Sequence, residues 1–429
     1  MDVCVIGAGY VGLTTSAVLA DLGHDVTCVD KNKDRIEILN RGICPIYEPG
    51  LEELIQKNRS RLTFSDGVGE AIRQNSVIYI CVGTPPMPDG STNLSYILSV
   101  IDDLATYIQS PKTIVTKSTV PLGTNEMIGE LLTQKGVDRK QFNLVSNPEF
   151  LREGTAVYDM FNPDKTVVGL EDGDSESLQV MKALYDGIES PFVVTTLNDA
   201  ELIKFSANAF LATKISFINE IARICDRSNA DITTVASTIG LDPRIGRHFL
   251  QAGLGYGGSC FPKDLSSLIH SATNKGIKPA ILEAAQYVND TQLDYYIEKI
   301  KENLEDLSSK KVAVLGIAFK PDTDDIRSSR SVLLIEKLEE LGLDVVAFDP
   351  KAKLPPETLQ RTTQVDSING ATKDADCIVI ATDWPVFKSL DWKEVKKEMK
   401  GTLIVDGRNC IDPSEVRKHG LLYVGVGRI

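Results

Sequence analysis

Val3-Cys4-Val5-Ile6-Gly7-Ala8-Gly9-Tyr10-Val11-Gly12-Leu13 is the stretch from which the fold of this 429-residue chain is read. Its apolar start predicts a buried strand. A G-x-G-x-x-G turn follows, then a helix carrying Leu13, Ala17, Val18, Ala20 and Leu22. Gly23 ends that helix, and Asp25-Val26-Thr27-Cys28-Val29-Asp30 predicts a second strand closed by an acid. The glycine turn alone is weak evidence. Between strand and helix, with an acid about twenty residues on, it predicts a dinucleotide-binding βαβ unit. Gly7 then permits the tight turn, Gly9 lets a pyrophosphate approach, and Gly12 lets the helix pack on the sheet. The phosphates would take the helix N-terminus, beside Tyr10 and Val11. Asp30 would accept ribose hydroxyls and repel a 2′-phosphate, so NAD is expected rather than NADP. Arg35, just beyond, is placed to stack near the adenine or to bind a phosphate.

The strand–helix alternation continues outward. Residues 76–82, 113–117 and 142–146 predict strands that end at Gly83-Thr84-Pro85, Ser118-Thr119-Val120-Pro121 and Asn147-Pro148-Glu149-Phe150. Ligands of open parallel sheets lie beyond the strands' carboxyl ends, so Thr84, Thr119 and Glu149 are expected at one edge. Residues 165–169 and 192–195 read as the last strands of this half. From Asn198 the pattern is helical without a breaker as far as Ile224. Lys204 and Asn208, four apart, share one face of that helix. They are either a buried structural pair or a lysine and an amide pointed at a substrate oxygen. Two further helices are expected over 279–289 and 292–307. Strands over 311–315, 344–348, 377–381 and 403–406 then announce a second αβ unit, in which Gly316 stands without the remaining dinucleotide glycines. Lys320, Arg327 and Arg408 lie at or soon after its strand ends, as solvated cations or ligand contacts. The expected architecture is α/β, with two Rossmann-like doubly wound domains joined by a long central helix and helical region. Its parts are residues 1–197, 198–308 and 309–429.

A net charge of −14 argues against nucleic acid or an anionic membrane as the main partner. Hydrophobic content of 42% and charged content of 25% are those of a soluble globular protein. Neither a signal peptide nor a membrane span is expected. The eight cysteines are scattered, with no Cys-x-x-Cys pair, so no zinc site, no other metal and no disulfide framework is expected, and a reducing cytoplasm fits. Only four histidines are present, which leaves acid–base chemistry to Lys, Asp or Glu.

The other informative stretch is Gly253-Leu254-Gly255-Tyr256-Gly257-Gly258-Ser259-Cys260-Phe261-Pro262-Lys263-Asp264. Its glycines would let a ligand lie against backbone. Pro262 suits the first turn of a helix, which puts Cys260 at a helix N-terminus where a thiolate is favoured. Lys263 adds positive charge. Cys260 is then either a nucleophile or a small buried hydrophobe in a glycine-rich turn.

Together with Lys117-Ser118-Thr119-Val120-Pro121, Asn147-Pro148-Glu149-Phe150-Leu151-Arg152-Glu153-Gly154 and Phe319-Lys320, these motifs resemble the UDP-glucose/GDP-mannose dehydrogenase family, over essentially the whole chain. The cysteine motif looks most like the glucose branch; branches acting on UDP-N-acetylhexosamines or GDP-mannose are the alternative. The resemblance implies oxidation of a sugar-nucleotide 6-hydroxyl to a carboxylate with two NAD. It implies Cys260 as nucleophile, Lys204 with Asn208 at the substrate oxygens, Asp264 with Thr119 positioning water, and Glu149 as base for hydrolysis. It assigns NAD contacts to Val11, Asp30, Arg35, Thr84, Thr119, Glu153, Lys263 and Arg327. It assigns UDP-sugar contacts to Glu149, Phe150, Leu151, Arg152, Glu153, Lys204, Asn208, Phe249, Leu250, Gln251, Ala252, Gly253, Gly257 and Lys320. Arg244 would act from a partner subunit and Arg408 from the C-terminal domain. A homodimer built on the long central helix is also implied.

Overall fold

The computed structural model describes residues 1–304, 306, 307, 310–355 and 360–428. The chain divides into two compact units. One comprises Met1–Ala207 with Ser266–Ile277, the other Asn208–Leu265 with Lys278–Ile429.

The first unit is built on β1 (Asp2–Ile6), β2 (Asp25–Val29), β3 (Leu62–Ser65), β4 (Val77–Ile80), β5 (Lys112–Thr116), β6 (Phe142–Ser146), β7 (Thr166–Leu170) and β8 (Phe192–Thr196). Their order is β3-β2-β1-β4-β5-β6-β7-β8. All pairs are parallel except β6 with β7. The first six therefore have the dinucleotide-fold order, with its switch point between β1 and β4. Val3, Val5, Tyr79 and Val115 pack under one face with Leu13 and Ala17, while Cys4, Ile6, Ile78, Ile80 and Ile114 pack on the other. Such two-sided burial is why these strands read as continuous apolar runs.

The second unit repeats the plan. Its strands are β9 (Lys311–Leu315), β10 (Asp344–Phe348), β11 (Thr362–Gln364), β12 (Cys377–Ile380), β13 (Leu403–Asp406) and β14 (Leu422–Gly425), in the order β11-β10-β9-β12-β13-β14. Gly316 has φ +107°, the value found at Gly7. Its N–H donates to Phe348 as that of Gly7 donates to Val29. The acid closing β10, Asp349, is consumed by the protein: Oδ2 accepts from the N–H groups of Ile317 and Ala318 and Oδ1 from those of Lys351 and Ala352.

The helix Leu197–Ser228 contributes to both units and is unbroken for 32 residues, as its sequence predicts. Two expectations change. The helices expected over 279–289 and 292–307 are one 24-residue helix, Ala280–Asn303. Asp290 and Thr291 carry no breaker chemistry, and the polar Asn289 and Gln292 lie on its buried face. The strands β3, β11 and β14 were not expected. All are sheet edges, where partial exposure dilutes the apolar pattern. No described helix is long and apolar enough to cross a membrane.

Candidate active site

In the glycine turn the three glycines have separable reasons. A Cβ on Gly7 would stand 2.6 Å from the carbonyl oxygen of Cys81, and one on Gly12 would stand 1.8 Å from that of Gly7. One on Gly9, the residue capping helix Tyr10–Asp21, would meet nothing within 4 Å. Space over Gly9, at a helix N-terminus, fits a dinucleotide pyrophosphate. Asp30 closes β2 and accepts through Oδ2 from the Ala8 N–H at 2.8 Å, while Arg35 sits 3.5 Å from the same oxygen. At the neighbouring strand ends, the Thr84 hydroxyl donates to the Thr119 carbonyl at 2.9 Å, so these two predicted residues come together. Tyr10, whose Oη accepts from the Gly154 N–H at 2.8 Å, ties the turn to the segment after β6. A buried acid not foreseen from the sequence, Glu48, holds that segment too. Its carboxylate accepts from the N–H groups of Gly154 and Ala156, both at 2.6 Å.

Glu149 follows β6 and is buried, and its Oε1 lies 3.0 Å from Lys204 Nζ. Its Oε2 accepts from the Leu151 N–H at 2.5 Å. Burial alone would raise the carboxyl pKa. The Lys204 ammonium and the Leu151 N–H outweigh burial and hold it below the ordinary carboxylate value. The Phe150 ring carries Lys165 Nζ at 4.3 Å and Lys204 Nζ at 5.4 Å from its centroid. Arg152 is committed to Asp159, through Nε at 3.0 Å and through its backbone N–H. Leu151 and Glu153 are half-buried. Glu149, Phe150, Leu151, Arg152, Asp159 and Lys165, with Lys117 and Tyr185, line a cavity of about 310 Å³ in the first unit.

In the second unit Cys260 is half-buried and directly precedes the helix Phe261–Asn274. Its carbonyl accepts from the Asp264 N–H, and its Sγ lies 3.5 Å from the Ser259 hydroxyl. Asp264 is 1% exposed. Its two oxygens are taken by Asn208 Nδ2 at 2.6 Å and Lys263 Nζ at 2.5 Å. Asn208 is thus a partner of the acid beside the cysteine.

The glycines before Cys260 were expected to clear space for a ligand. Their nearest demands are internal. A Cβ on Gly255 would stand 2.4 Å from Asn289 Oδ1, and one on Gly257 would stand 2.3 Å from the Ser328 carbonyl oxygen. The loop is close-packed against a polar frame absent from the sequence reading. The Asn289 carboxamide accepts from the Tyr256 N–H at 2.8 Å and donates to its carbonyl at 3.2 Å. Asn219 accepts from Gly253 N–H and Gln292 donates to its carbonyl. Buried Arg330 donates to the carbonyls of Leu254 and Asn289. The available signal was a polar pair, Asn289 and Gln292, at helical spacing where a core residue is expected.

A second cavity, about 340 Å³, is lined by Phe249, Gln251, Ala252, Gly253, Gly257, Lys320 and Arg408, all of the predicted set. Arg408 donates to the carbonyls of Ala381 and Phe319 at 2.7 and 2.9 Å. Phe249 holds φ +64°, a left-handed conformation rare for a bulky residue, and its ring lies 6.1 Å from that of Phe261. Leu250 instead turns into the core. Arg244 is exposed on an outer turn, paired with Asp242, and does not line this cavity. Arg327 is paired with Asp325 at 2.6 Å.

The chain is similar to known proteins along its whole length. Models described as UDP-glucose/GDP-mannose dehydrogenase family match in three parts: the NAD binding domain at residues 1–189, the central domain at 198–291 and the UDP binding domain at 313–413. YtcA of Bacillus subtilis (strain 168), provisionally named a UDP-glucose 6-dehydrogenase, is 52% identical over 428 residues, covering 100% of each chain. The UDP-glucose dehydrogenase structure from Pyrobaculum islandicum superposes with a TM-score of 0.92 at 37% identity, covering 100% of this chain and 98% of that one. The UDP-D-ManNAc dehydrogenase structure from Pyrococcus horikoshii gives 0.89 at 28% identity, covering 100% and 99%. With full-length identity well above the level at which folds and families coincide, the chain belongs to the UDP-glucose/GDP-mannose dehydrogenase family and is an NAD-dependent dehydrogenase of it.

Proposed function

We propose that the chain oxidises UDP-glucose to UDP-glucuronate, a four-electron oxidation that uses two NAD and one water. The observation that carries this reading is the cysteine at a helix start beside a buried, fully engaged aspartate. A two-electron dehydrogenase has no use for such a thiol. The greater identity to the glucose enzyme of Pyrobaculum than to the ManNAc enzyme of Pyrococcus supports glucose as the sugar.

NAD, held by the turn of Gly7, Gly9 and Gly12 with Asp30, supplies the hydride acceptor for both oxidations. The first converts the C6 alcohol to an aldehyde. An aldehyde has no second hydride to give until a nucleophile adds to it. The Cys260 thiolate adds to the aldehyde carbon, giving a thiohemiacetal, and loss of hydride from that carbon with loss of the proton from its hydroxyl gives a thioester. Water then replaces sulfur, releasing the carboxylate and regenerating the thiol. In this reading Lys204 and Asn208 stabilise the charge that grows on the reacting oxygen. Glu149, held ionised, takes the proton of the attacking water. Asp264 and Thr119 position that water. Lys263 and Arg327, each paired with an aspartate, would exchange or share those partners on meeting NAD. The lining of the second cavity, with Lys320 and Arg408 as its cations, suits a nucleoside diphosphate.

A homodimer is part of this reading. Phe210, Phe217 and Ile224 are 66%, 49% and 55% exposed, and their seven-residue spacing lays them in one stripe along the long helix. Arg244, exposed beside Asp242 and outside the second cavity, would serve the partner subunit in this reading.

The test is stoichiometry. Purified protein with limiting UDP-glucose should form two NADH per sugar and a uronate. Cys260→Ala should form no uronate. One NADH per sugar, or undiminished turnover by Cys260→Ala, would overturn the mechanism. Faster turnover of UDP-N-acetylmannosamine or GDP-mannose would move the protein to a sister activity.

A further inference from the structure

The ends of β5 and β6 are in register, Thr116 opposite Ser146, so Lys117 and Asn147 emerge side by side. Lys117 is 3% exposed. Its Nζ donates to Asn147 Oδ1 at 3.3 Å and to Tyr185 Oη at 3.2 Å, both neutral acceptors. The Tyr185 hydroxyl donates to the same Asn147 oxygen at 2.6 Å, and Asn147 Nδ2 donates to the Val167 carbonyl at 2.8 Å. The amide orientation is therefore fixed, and with it the ammonium. A buried cation is retained at a cost unless an anion answers it. Among the described residues no carboxylate pairs with Lys117 within salt-bridge distance. Two residues beyond Asn147 stands Glu149, in the wall of the same cavity.

We propose that Lys117 is a positioning residue for Glu149: clamped by Asn147 and Tyr185, it supplies a fixed second positive charge that keeps the buried carboxylate ionised. The need for it follows from the reading of the reaction above, on which this inference rests. In that reading Lys204, paired with Glu149, is asked to serve the reacting oxygen as well. When its ammonium turns to that oxygen, a carboxylate with no other cation would take up a proton and cease to be a base. Lys117 has no such second duty, because its partners are internal.

The other groups around the carboxylate do not replace it. Cys81, at the end of β4, interacts with both Glu149 and Lys117, but burial pushes its thiol up to about 12 and it carries no charge. Tyr185 is a neutral phenol. Of the charged side chains farther along the cavity wall, Arg152 and Asp159 cancel in their ion pair, and Lys165 lies over the Phe150 ring, with the acid Asp164 also in the lining. Lys117 is also among the charges that lower the Glu149 pKa, after burial, Lys204 and the Leu151 N–H have been counted.

The experiment reads Glu149 directly. In the full-length protein with ¹³C-labelled Glu carboxyls, the Glu149 resonance is assigned by its loss in Glu149→Gln and followed against pH. In Lys117→Met the titration midpoint should rise by about one unit, since loss of a neighbouring cation acts on a carboxylate at that level. Lys117→Arg should restore it. The acid limb of the rate of uronate release should move to higher pH in Lys117→Met by the same amount, with KM for the UDP-sugar little changed. An unmoved Glu149 midpoint in folded Lys117→Met overturns the proposal. Should Lys117→Met fail to fold, Tyr185→Phe decides: it removes one of the two acceptors of Lys117, and a smaller rise supports the proposal while no rise overturns it. A midpoint that moves while the acid limb stays in place supports Lys117 as the partner of Glu149 and overturns Glu149 as the hydrolytic base.

Discussion

Single atoms account for much of what the glycine turn can tolerate. Gly7 and Gly9 are two residues apart in one motif and are expected to fail in opposite ways. Gly7→Ala places a Cβ 2.6 Å from a backbone oxygen at φ +107°. It should cost about 1–3 kcal/mol of stability, visible as a lower Tm. Gly9→Ala meets no protein atom and should leave Tm nearly unchanged. Its methyl would stand where the pyrophosphate approaches, so KM for NAD should rise by an order of magnitude or more, as steady-state kinetics would show. Glu149 gives a pH prediction with a definite sign. Its folded pKa is depressed, so its contribution to stability is complete above the unfolded value of about 4.3 and is lost as pH falls through the lower folded value. Glu149→Gln, which removes the charge that faces buried Lys204, should be less stable by about 3 kcal/mol near neutrality. Urea unfolding at a series of pH values should show that gap closing only in the acid range below about pH 4.

The loop 253–258 shows how an element with no regular structure is made rigid. It has no ladder of its own, so its backbone groups must find partners elsewhere. They find them in side chains of two long helices, Asn219 from Leu197–Ser228 and Asn289 with Gln292 from Ala280–Asn303. Asn289 serves both polar groups of Tyr256. Asn289→Ala should therefore cost about 1–3 kcal/mol, the range for a buried polar group left unsatisfied. Because Gly257 lines the cavity with Lys320 and Arg408, the same change should raise KM for the UDP-sugar more than KM for NAD. Equal shifts in both, by initial-rate kinetics, would show that the loop does not bind the sugar nucleotide. The helix Ala280–Asn303 also explains why the sequence suggested a break near 290. Asn289 and Gln292 interrupt the apolar pattern at the positions where the helix grips the loop, and a polar core looks like a surface when only periodicity is read.

In the whole protein, the six-stranded sheet repeats the order of the first six strands of the eight-stranded one, yet their turns differ. In the first, Gly9 leaves space and Asp30 closes the edge. In both, the acid after the second strand holds the protein's own N–H groups: Asp30 those of Ala8 and Asn32, and the buried Asp349 those of four residues, which makes it the more internal of the two. The proposed assembly can be tested without reference to catalysis. Phe210→Asp with Phe217→Asp puts two charges on the exposed stripe of the long helix. Light scattering of this variant should show a monomer where the unaltered protein gives a dimer, and a far-UV spectrum unchanged between them would show that the fold persists. An unaltered protein that is monomeric would remove the homodimer from the proposal.

Much of this was legible in the chain itself. The order strand, glycine turn, helix, strand, acid is a local constraint, because backbone geometry at Gly7 and packing at Gly12 act over a few residues. The helix start after Cys260 is local in the same sense. Long buried strands betray themselves through unbroken apolar runs, whereas the edge strands β3, β11 and β14 did not. What no spacing could supply is who partners whom across long separations. Asp264 is taken by Asn208, Glu149 by Lys204, and the segment after β6 by Glu48, at sequence distances of 56, 55 and about one hundred residues. A buried charge or amide carries no mark of its partner in the chain, because hydrogen-bond geometry exists only once folding has brought the two groups within about 3 Å. The candidate role of Cys260 was thus readable from its neighbours in sequence, while the electrostatic settings of Asp264 and of Glu149 came from contacts that folding alone creates.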